Sequence, residues 1–196
     1  MPEAAAEACG EASGDRYAGA GRVTQGWKLV LHSAGGERLD VDAATATAPG
    51  GGLALSRFDR AAQEDALRAV WDGSAPGAAL SIGGRQLDLT RQANGDLTLL
   101  MEYRLEQAPT GQVLLGVANS GAAAQRGMVD ITSMLGAPGE WNSLAVRLSC
   151  FGAAGADLSI LGEPFVLQST GRLNIGVSAV RLAPAVGAQT CPPAAR

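Results

Sequence analysis

The sequence predicts an all-β fold, a β-sandwich or jelly roll with one or two short helices. Three observations carry this expectation. Short runs alternate apolar and polar side chains with a period of two, the mark of a strand with one buried face. Turn-forming strings separate these runs at about 8–12-residue spacing. Hydrophobic residues make up 46% of the 196 residues and charged ones only 17%, which suits a chain with a real core and not a disordered one.

Taken in order, Trp27 to His32 is the first strand, and Leu53 to Phe58 follows the breaker Pro49-Gly50-Gly51-Gly52. Ala69-Val70-Trp71 and Ala79 to Ile82 are short third and fourth runs. The clearest strand is Leu97 to Leu105, with Leu97, Leu99, Met101, Tyr103 and Leu105 on one face and Thr98, Leu100, Glu102 and Arg104 on the other. Asn94-Gly95 before it is a tight-turn signal, and Val113 to Val117 after it reads as its antiparallel neighbour. A further strand places Leu144, Val146, Leu148 and Cys150 in phase. The last holds Leu173, Ile175 and Val177, and its pattern slips before Val180 and Leu182, which suggests a bulge.

Two stretches read as helix. Asp59 is placed to cap Arg60 to Leu67, and Thr132 to cap a single turn at Ser133 to Leu135. An apolar-Asp-apolar-hydroxyl pattern recurs at Leu87-Asp88-Leu89-Thr90, Val129-Asp130-Ile131-Thr132 and Ala156-Asp157-Leu158-Ser159. Either these are strand exits in which Asp bonds local backbone N–H groups, or one carboxylate helps hold a structural calcium.

Residues 1–22 are Gly/Ala-rich and read as a linker, residues 23–184 as the sandwich, and residues 185–196, with Pro192-Pro193, as a flexible tail. The start lacks the basic and apolar regions of a signal peptide, so the chain is either cytoplasmic or a piece of a longer secreted protein. Three cysteines, Cys9, Cys150 and Cys191, permit one bridge; a clasp between the ends through Cys9 and Cys191 would leave Cys150 as a small buried hydrophobe.

Composition excludes several functions. A net charge of −4 argues against nucleic acid as the main partner. One histidine, His32, and three scattered cysteines do not make a zinc site. No Gly-x-Ser-x-Gly elbow and no phosphate-cradling glycine loop occurs, and a Cys–His pair would require His32 to meet Cys150. Paired carboxylates remain as a catalytic option, with Asp59, Glu64, Asp65 and Asp72 clustered around one loop, although such clusters are usually solvated faces.

Binding is easier to argue. Sugar recognition uses flat aromatic faces against C–H surfaces and planar polar groups for hydroxyls. Of the three tryptophans, Trp71 stands beside Asp72-Gly73 and close after Gln63-Glu64-Asp65, so it is the stacking candidate, with Arg57, Gln63, Glu64 and Asp65 for hydroxyls. Trp141 reads as sealing the sandwich end, and Trp27 as packing against whatever precedes the domain.

Several strings occur together in one order: Arg57-Phe58-Asp59-Arg60-Ala61-Ala62-Gln63-Glu64-Asp65-Ala66 with Val70-Trp71, Leu87 to Leu97, Leu148-Ser149-Cys150-Phe151 leading to Asp157-Leu158, and Gly176 to Leu182. In these the chain resembles the extra C-terminal domain of bacterial exo-β-1,3/1,4-glucan glucohydrolases and β-glucosidases of glycoside hydrolase family 3, from about Trp27 to Leu182. The resemblance implies a galactose-binding-like jelly roll appended to a catalytic body in a periplasmic or secreted enzyme. That body and its Asp-Trp nucleophile string are absent, so the chain itself is expected to be non-catalytic and without a cofactor. Relatives often carry cysteines after the strand equivalent to 113–117, where this chain has none, which puts a bridge to Cys150 in doubt. The expected partners are β-glucan or cello-oligosaccharide and the catalytic domain of a parent enzyme. The alternatives are a structural domain that binds no sugar and a small hydrolase built on the acidic loop.

Overall fold

Fourteen strands form two antiparallel sheets in the computed structural model, which describes residues 16–43, 45–61, 65–121 and 125–196. In chain order they are β1 (Arg16–Gly19), β2 (Arg22–Val23), β3 (Trp27–His32), β4 (Arg38–Val41), β5 (Ala46–Thr47), β6 (Leu53–Phe58), β7 (Ala66–Asp72), β8 (Ala79–Gly84), β9 (Leu97–Leu105), β10 (Val113–Asn119), β11 (Arg126–Asp130), β12 (Trp141–Arg147), β13 (Leu161–Ser169) and β14 (Arg172–Pro184). Two short helices, α1 (Thr90–Asn94) and α2 (Leu148–Ala153), and a 3-10 turn at Thr132–Met134 complete them. The eight-stranded sheet runs β12-β9-β14-β7-β6-β5, with β1 on β14 and β2 on β1; the six-stranded sheet runs β11-β10-β13-β8-β3-β4. The all-β sandwich expectation holds. Among the described residues no helix is long and apolar enough to cross a membrane.

Side-chain alternation builds the core between the sheets. In β9, Leu99, Met101, Tyr103 and Leu105 are at most 1% exposed, and they face Leu80, Leu115, Phe165 and Leu167 of the other sheet in one cluster. The expected slip in the last strand is present: β14 shifts register against β9 between Val177 and Ala179. This lets Val177 and Val180 both point inward, at 6% and 1% exposure.

The structure corrects five expectations. The segment read as a linker starts the sandwich by residue 16: β1 pairs with β14, and Tyr17 is fully buried with its ring edge-on to Trp27 at 5.2 Å. Trp27 thus does pack against what precedes it. Strand β10 does not pair with β9; it lies in the other sheet between β11 and β13. The described part of the span expected as a helix, Arg60 to Leu67, is not helical: Arg60 and Ala61 form a bend and Ala66 and Leu67 open β7, while residues 62–64 lie outside the described residues. Asn94-Gly95 closes α1, and the left-handed turn falls on Asp96 (φ 61°).

The fifth correction concerns the cysteines and the tail. Cys150 sits in α2, not in a strand, and is bonded to Cys191 with the Cα atoms 5.4 Å apart. Cys9 lies outside the described residues. The tail is fastened to the open edge of β11: Asp130 N–H donates to Pro193 O at 2.8 Å and Ala195 N–H to Met128 O at 2.9 Å. The recurring aspartates resolve as turn formers. Thr90, Thr132 and Ser159 N–H donate to Asp88, Asp130 and Asp157 Oδ1 at 2.9, 2.9 and 3.0 Å. These bonds, with those of the Thr90 and Ser159 hydroxyls, hold the Asp88 and Asp157 carboxyls below 3.8. Among the described residues no three His, Cys, Asp or Glu side chains gather to hold a metal.

The bridge closes a 41-residue separation, so Cys191→Ser is expected to cost about 2–4 kcal/mol. Thermal melting should fall by roughly 5–15 °C, and hydrogen exchange at the Ala195 and Asp130 amides should lose protection. An unchanged melt would mean that the strap adds nothing to stability.

Candidate functional site

Among the described residues, those nominated from sequence do not form one site. Trp71 is 2% exposed, in phase with Leu67 and Ala69, and its Nε1 donates to Ala78 O at 2.7 Å, so it is a core residue and not a stacking platform. The Arg57 guanidinium donates to the Gly21 carbonyl, at the sandwich end beside Trp27 and Lys28. Asp65 accepts the backbone N–H groups of Arg60 and Ala61, which ties the β6–β7 hairpin together. Gln63 and Glu64 lie outside the described residues. His32 and Cys150 do not meet: His32 bonds Ser81 and Glu163, and Cys150 is in the disulfide.

Two other rings take the place of Trp71. Of the eight aromatic residues, six are buried, and only Phe58 and Trp141 keep partial exposure. Both lie on the outer face of the eight-stranded sheet, with ring centroids 6.3 Å apart and planes tilted by 42°. The register explains the meeting. Ser56, Arg68, Gly176, Arg104 and Trp141 are opposite one another on β6, β7, β14, β9 and β12, and so share one face. Gly176 leaves room for the rings: a Cβ there would stand 2.9 Å from Phe58 Cδ1 and 3.4 Å from Trp141 Cη2. The signal was in the phase of the strands. Phe58 is in step with Ala54 and Ser56 and out of step with Leu53 and Leu55; Trp141 is in step with Ser143 and Arg147 and out of step with Leu144 and Val146.

Planar polar groups ring the aromatics. Arg60 lies 4.9 Å from the Trp141 ring centroid, and Arg68 and Arg104 lie 5.8 and 6.0 Å from that of Phe58. Arg60 also pairs with Glu102 and donates to Ser178 Oγ at 2.8 Å. Arg68 Nε donates to Asn174 Oδ1 at 3.0 Å. Arg104 Nε stands 3.0 Å from Glu106 Oε1, a charge contact out of line for a hydrogen bond. The face is therefore nearly neutral and rich in both donors and acceptors. It opens into a hollow of about 520 Å³ lined by Arg60, Asp65, Glu102, Ser178 and Arg181.

A second cluster occupies the outer face of the six-stranded sheet. His32 Nε2 is 3.1 Å from Ser81 Oγ and 2.9 Å from Glu163 Oε1, and Arg38 Nη1 reaches the same carboxylate oxygen at 3.5 Å. Glu163 is outward because of a bulge. Gly116 opposes Val166 but Ala118 opposes Glu163, so β13 carries one extra residue, and Pro164, which has no N–H to give a ladder, sits within it. Burial alone would raise the Glu163 pKa. The hydrogen bond and charge of His32, the charge of Arg126 and the bond with Ser81 more than offset this and hold it below 4.5.

Comparisons with known proteins follow the fold. Residues 25–182 match the galactose-binding domain-like family. The extra C-terminal domain of the exo-1,3/1,4-β-glucanase ExoP from a Pseudoalteromonas species superposes with a TM-score of 0.68 at 20% identity, covering 86% of this chain and 91% of that domain. The chain spans 20% of the whole ExoP enzyme. A family 30 carbohydrate-binding module of a Clostridium thermocellum cellulosomal cellulase gives 0.58 at 12% identity, over 80% of this chain and 92% of that one. A family 11 module from Clostridium thermocellum, solved with a β-1,3-1,4-mixed-linked tetrasaccharide, gives 0.52 at 9% identity, over 83% and 91%. At these identities the likeness establishes the fold. No curated protein matches.

Two outcomes follow from the geometry. Trp71→Ala should destabilise the chain by about 3–5 kcal/mol in denaturant melts, whereas Trp141→Ala, on the open face, should cost far less. The folded pKa of Glu163 lies below its unfolded value. Its stabilising share is therefore present above the unfolded value and lost as pH falls through the folded one. Melts of the wild type and Glu163→Gln should differ most near neutral pH and converge below 4.5; a gap that widens in acid would contradict the assignment.

Proposed function

This chain belongs to the galactose-binding domain-like family, and on that footing we propose that it is a non-catalytic, carbohydrate-binding-like accessory domain. It holds a β-glucan or cello-oligosaccharide chain against the Phe58–Trp141 face. In this reading it serves a periplasmic or secreted family 3 exo-β-glucan glucohydrolase or β-glucosidase. The observation that carries the reading is the convergence of the two partly exposed rings on one open sheet face, ringed by three arginines of which two pair with carboxylates and the third bonds an amide.

The chemistry suits a neutral polyhydroxyl chain. Ring faces take sugar C–H surfaces, while guanidinium, carboxylate and amide groups supply fixed donors and acceptors for hydroxyls. A neutral chain can be held while the Arg60–Glu102 and Arg104–Glu106 pairs stay intact. The family 11 module was solved with a mixed-linkage tetrasaccharide, which supports β-glucan as the class to test. Single contacts of this kind give millimolar to micromolar dissociation constants, about −4 to −8 kcal/mol. The gain to a tethered catalytic body is a raised local substrate concentration.

A second reading has its own support. Tryptophan and arginine are enriched at the centres of protein interfaces, so the same face also fits docking on the catalytic domain of a parent enzyme, without sugar binding.

Titration with laminarin, mixed-linkage glucan and cello-oligosaccharides separates the two. Glucan capture requires binding at millimolar ligand or below, weakened about tenfold or more by Trp141→Ala, a change of about 1.4 kcal/mol. Silence at millimolar ligand removes capture. In the parent enzyme, docking would then appear as a lower melting temperature in Trp141→Ala with KM unchanged.

A further inference from the structure

The outer face of the six-stranded sheet holds a cleft of about 330 Å³, on the side of the sandwich opposite to Phe58 and Trp141. One wall carries Glu163, His32 and Arg38, and the other carries Arg126 at the head of β11. The Glu163 side chain is 10% exposed and that of His32 9%. Burying a carboxylate costs free energy unless it is paired and hydrogen-bonded. The core between the sheets does not use this one, because the bulge in β13 turns it outward.

The cluster has spare capacity. A carboxylate has about four acceptor positions, and His32, Arg38 and Ser81 take at most three of them. The Arg126 side chain makes no hydrogen bond and no ion pair with any described residue, although its charge reaches Glu163. Arg38 is already offset by Asp40, whose Oδ1 takes its Nε at 2.9 Å. The cleft therefore presents a fixed acceptor on one side and, on the other, a fork of donors that no described residue takes up, with little net charge. No aromatic ring lines it.

We infer that this cleft is a second saccharide site, which takes one terminal sugar ring of a neutral glycan through adjacent hydroxyls, Glu163 accepting and Arg126 donating. Without a ring to stack on, it favours a chain end over a chain interior. The inference rests on the glycan-binding reading above for the class of ligand and adds to it that the domain is bivalent, engaging two chains on opposite faces.

The test is an amide-resolved NMR titration of the full chain with cellobiose, laminaribiose and laminarin, in the wild type and in Trp141→Ala, Glu163→Gln and Arg126→Ala. Disaccharides should shift the Gly83, Gly84 and Gly162 amides in the wild type and in Trp141→Ala alike. Arg126→Ala should weaken that response at least tenfold, and so should Glu163→Gln if it remains folded. The Arg126 side chain bonds no described neighbour, so its variant keeps the test decisive. Laminarin should cross-link the wild type into turbid complexes, and each single-face variant should abolish them.

Absence of shifts at the cleft, or an unchanged response in Arg126→Ala, overturns the second site while leaving capture by Trp141 standing. Cleft shifts that persist when Trp141→Ala changes nothing overturn the aromatic face and leave the cleft. A galacturonate that binds the cleft more tightly than the neutral disaccharides overturns the neutral-ligand assignment.

Discussion

The register of β14 is the constraint on which the molecule depends. This 13-residue strand pairs with β9 along one edge; along the other it pairs with β7 over Arg172–Val177 and then with β1 at Val180 and Arg181. Strand side chains alternate with a period of two, so a slip of one residue here would exchange the inner and outer faces of its neighbours. Leu173, Ile175 and Val177 would leave the core, and Gly176 would no longer lie under Phe58 and Trp141. The bulge after Val177, in the pairing with β9, changes the phase of β14 so that Val180 and Leu182 continue the buried face. Core and outer face are thus set by one ladder of hydrogen bonds.

Much of this was legible where the alternation is clean. β9 follows its pattern from Leu97 to Leu105, and the slip in β14 is visible as a break in phase. Alternation also misleads when it continues past the end of a strand. Leu148 and Cys150 extend the phase of Leu144 and Val146, yet the chain turns into α2 after Arg147 and buries Leu148, Cys150 and Phe151 on a helical face. No strand was expected at β13, where Gly162 and Pro164 interrupt the alternation; one abuts Ser120 and the other lies in the bulge. The partner of β10 was not legible because sequence neighbours need not share a sheet, and here the chain crosses between layers after Leu105.

The candidate site was half legible. The hairpin singled out by its polar residues does contribute, but through Phe58 and Arg60 and not through Trp71. Judging a tryptophan by its polar neighbours in sequence was the weaker rule; judging it by the phase of its strand places Trp71 inside and Trp141 outside. The cleft on the other sheet was not legible at all. His32 and Glu163 are 131 residues apart, and only the bulge brings the carboxylate to the same side as the imidazole.

That bulge makes chain length itself a determinant. From Val166 to Leu161 this strand takes five residue steps where β10 takes three, from Gly116 to Asn119. Phe165 and Leu161 both face the core, and an unbroken pleat of the same length would turn Glu163, midway between them, inward as well. The number of residues between the two pairing points, more than their identity, keeps that acid on a wet rim.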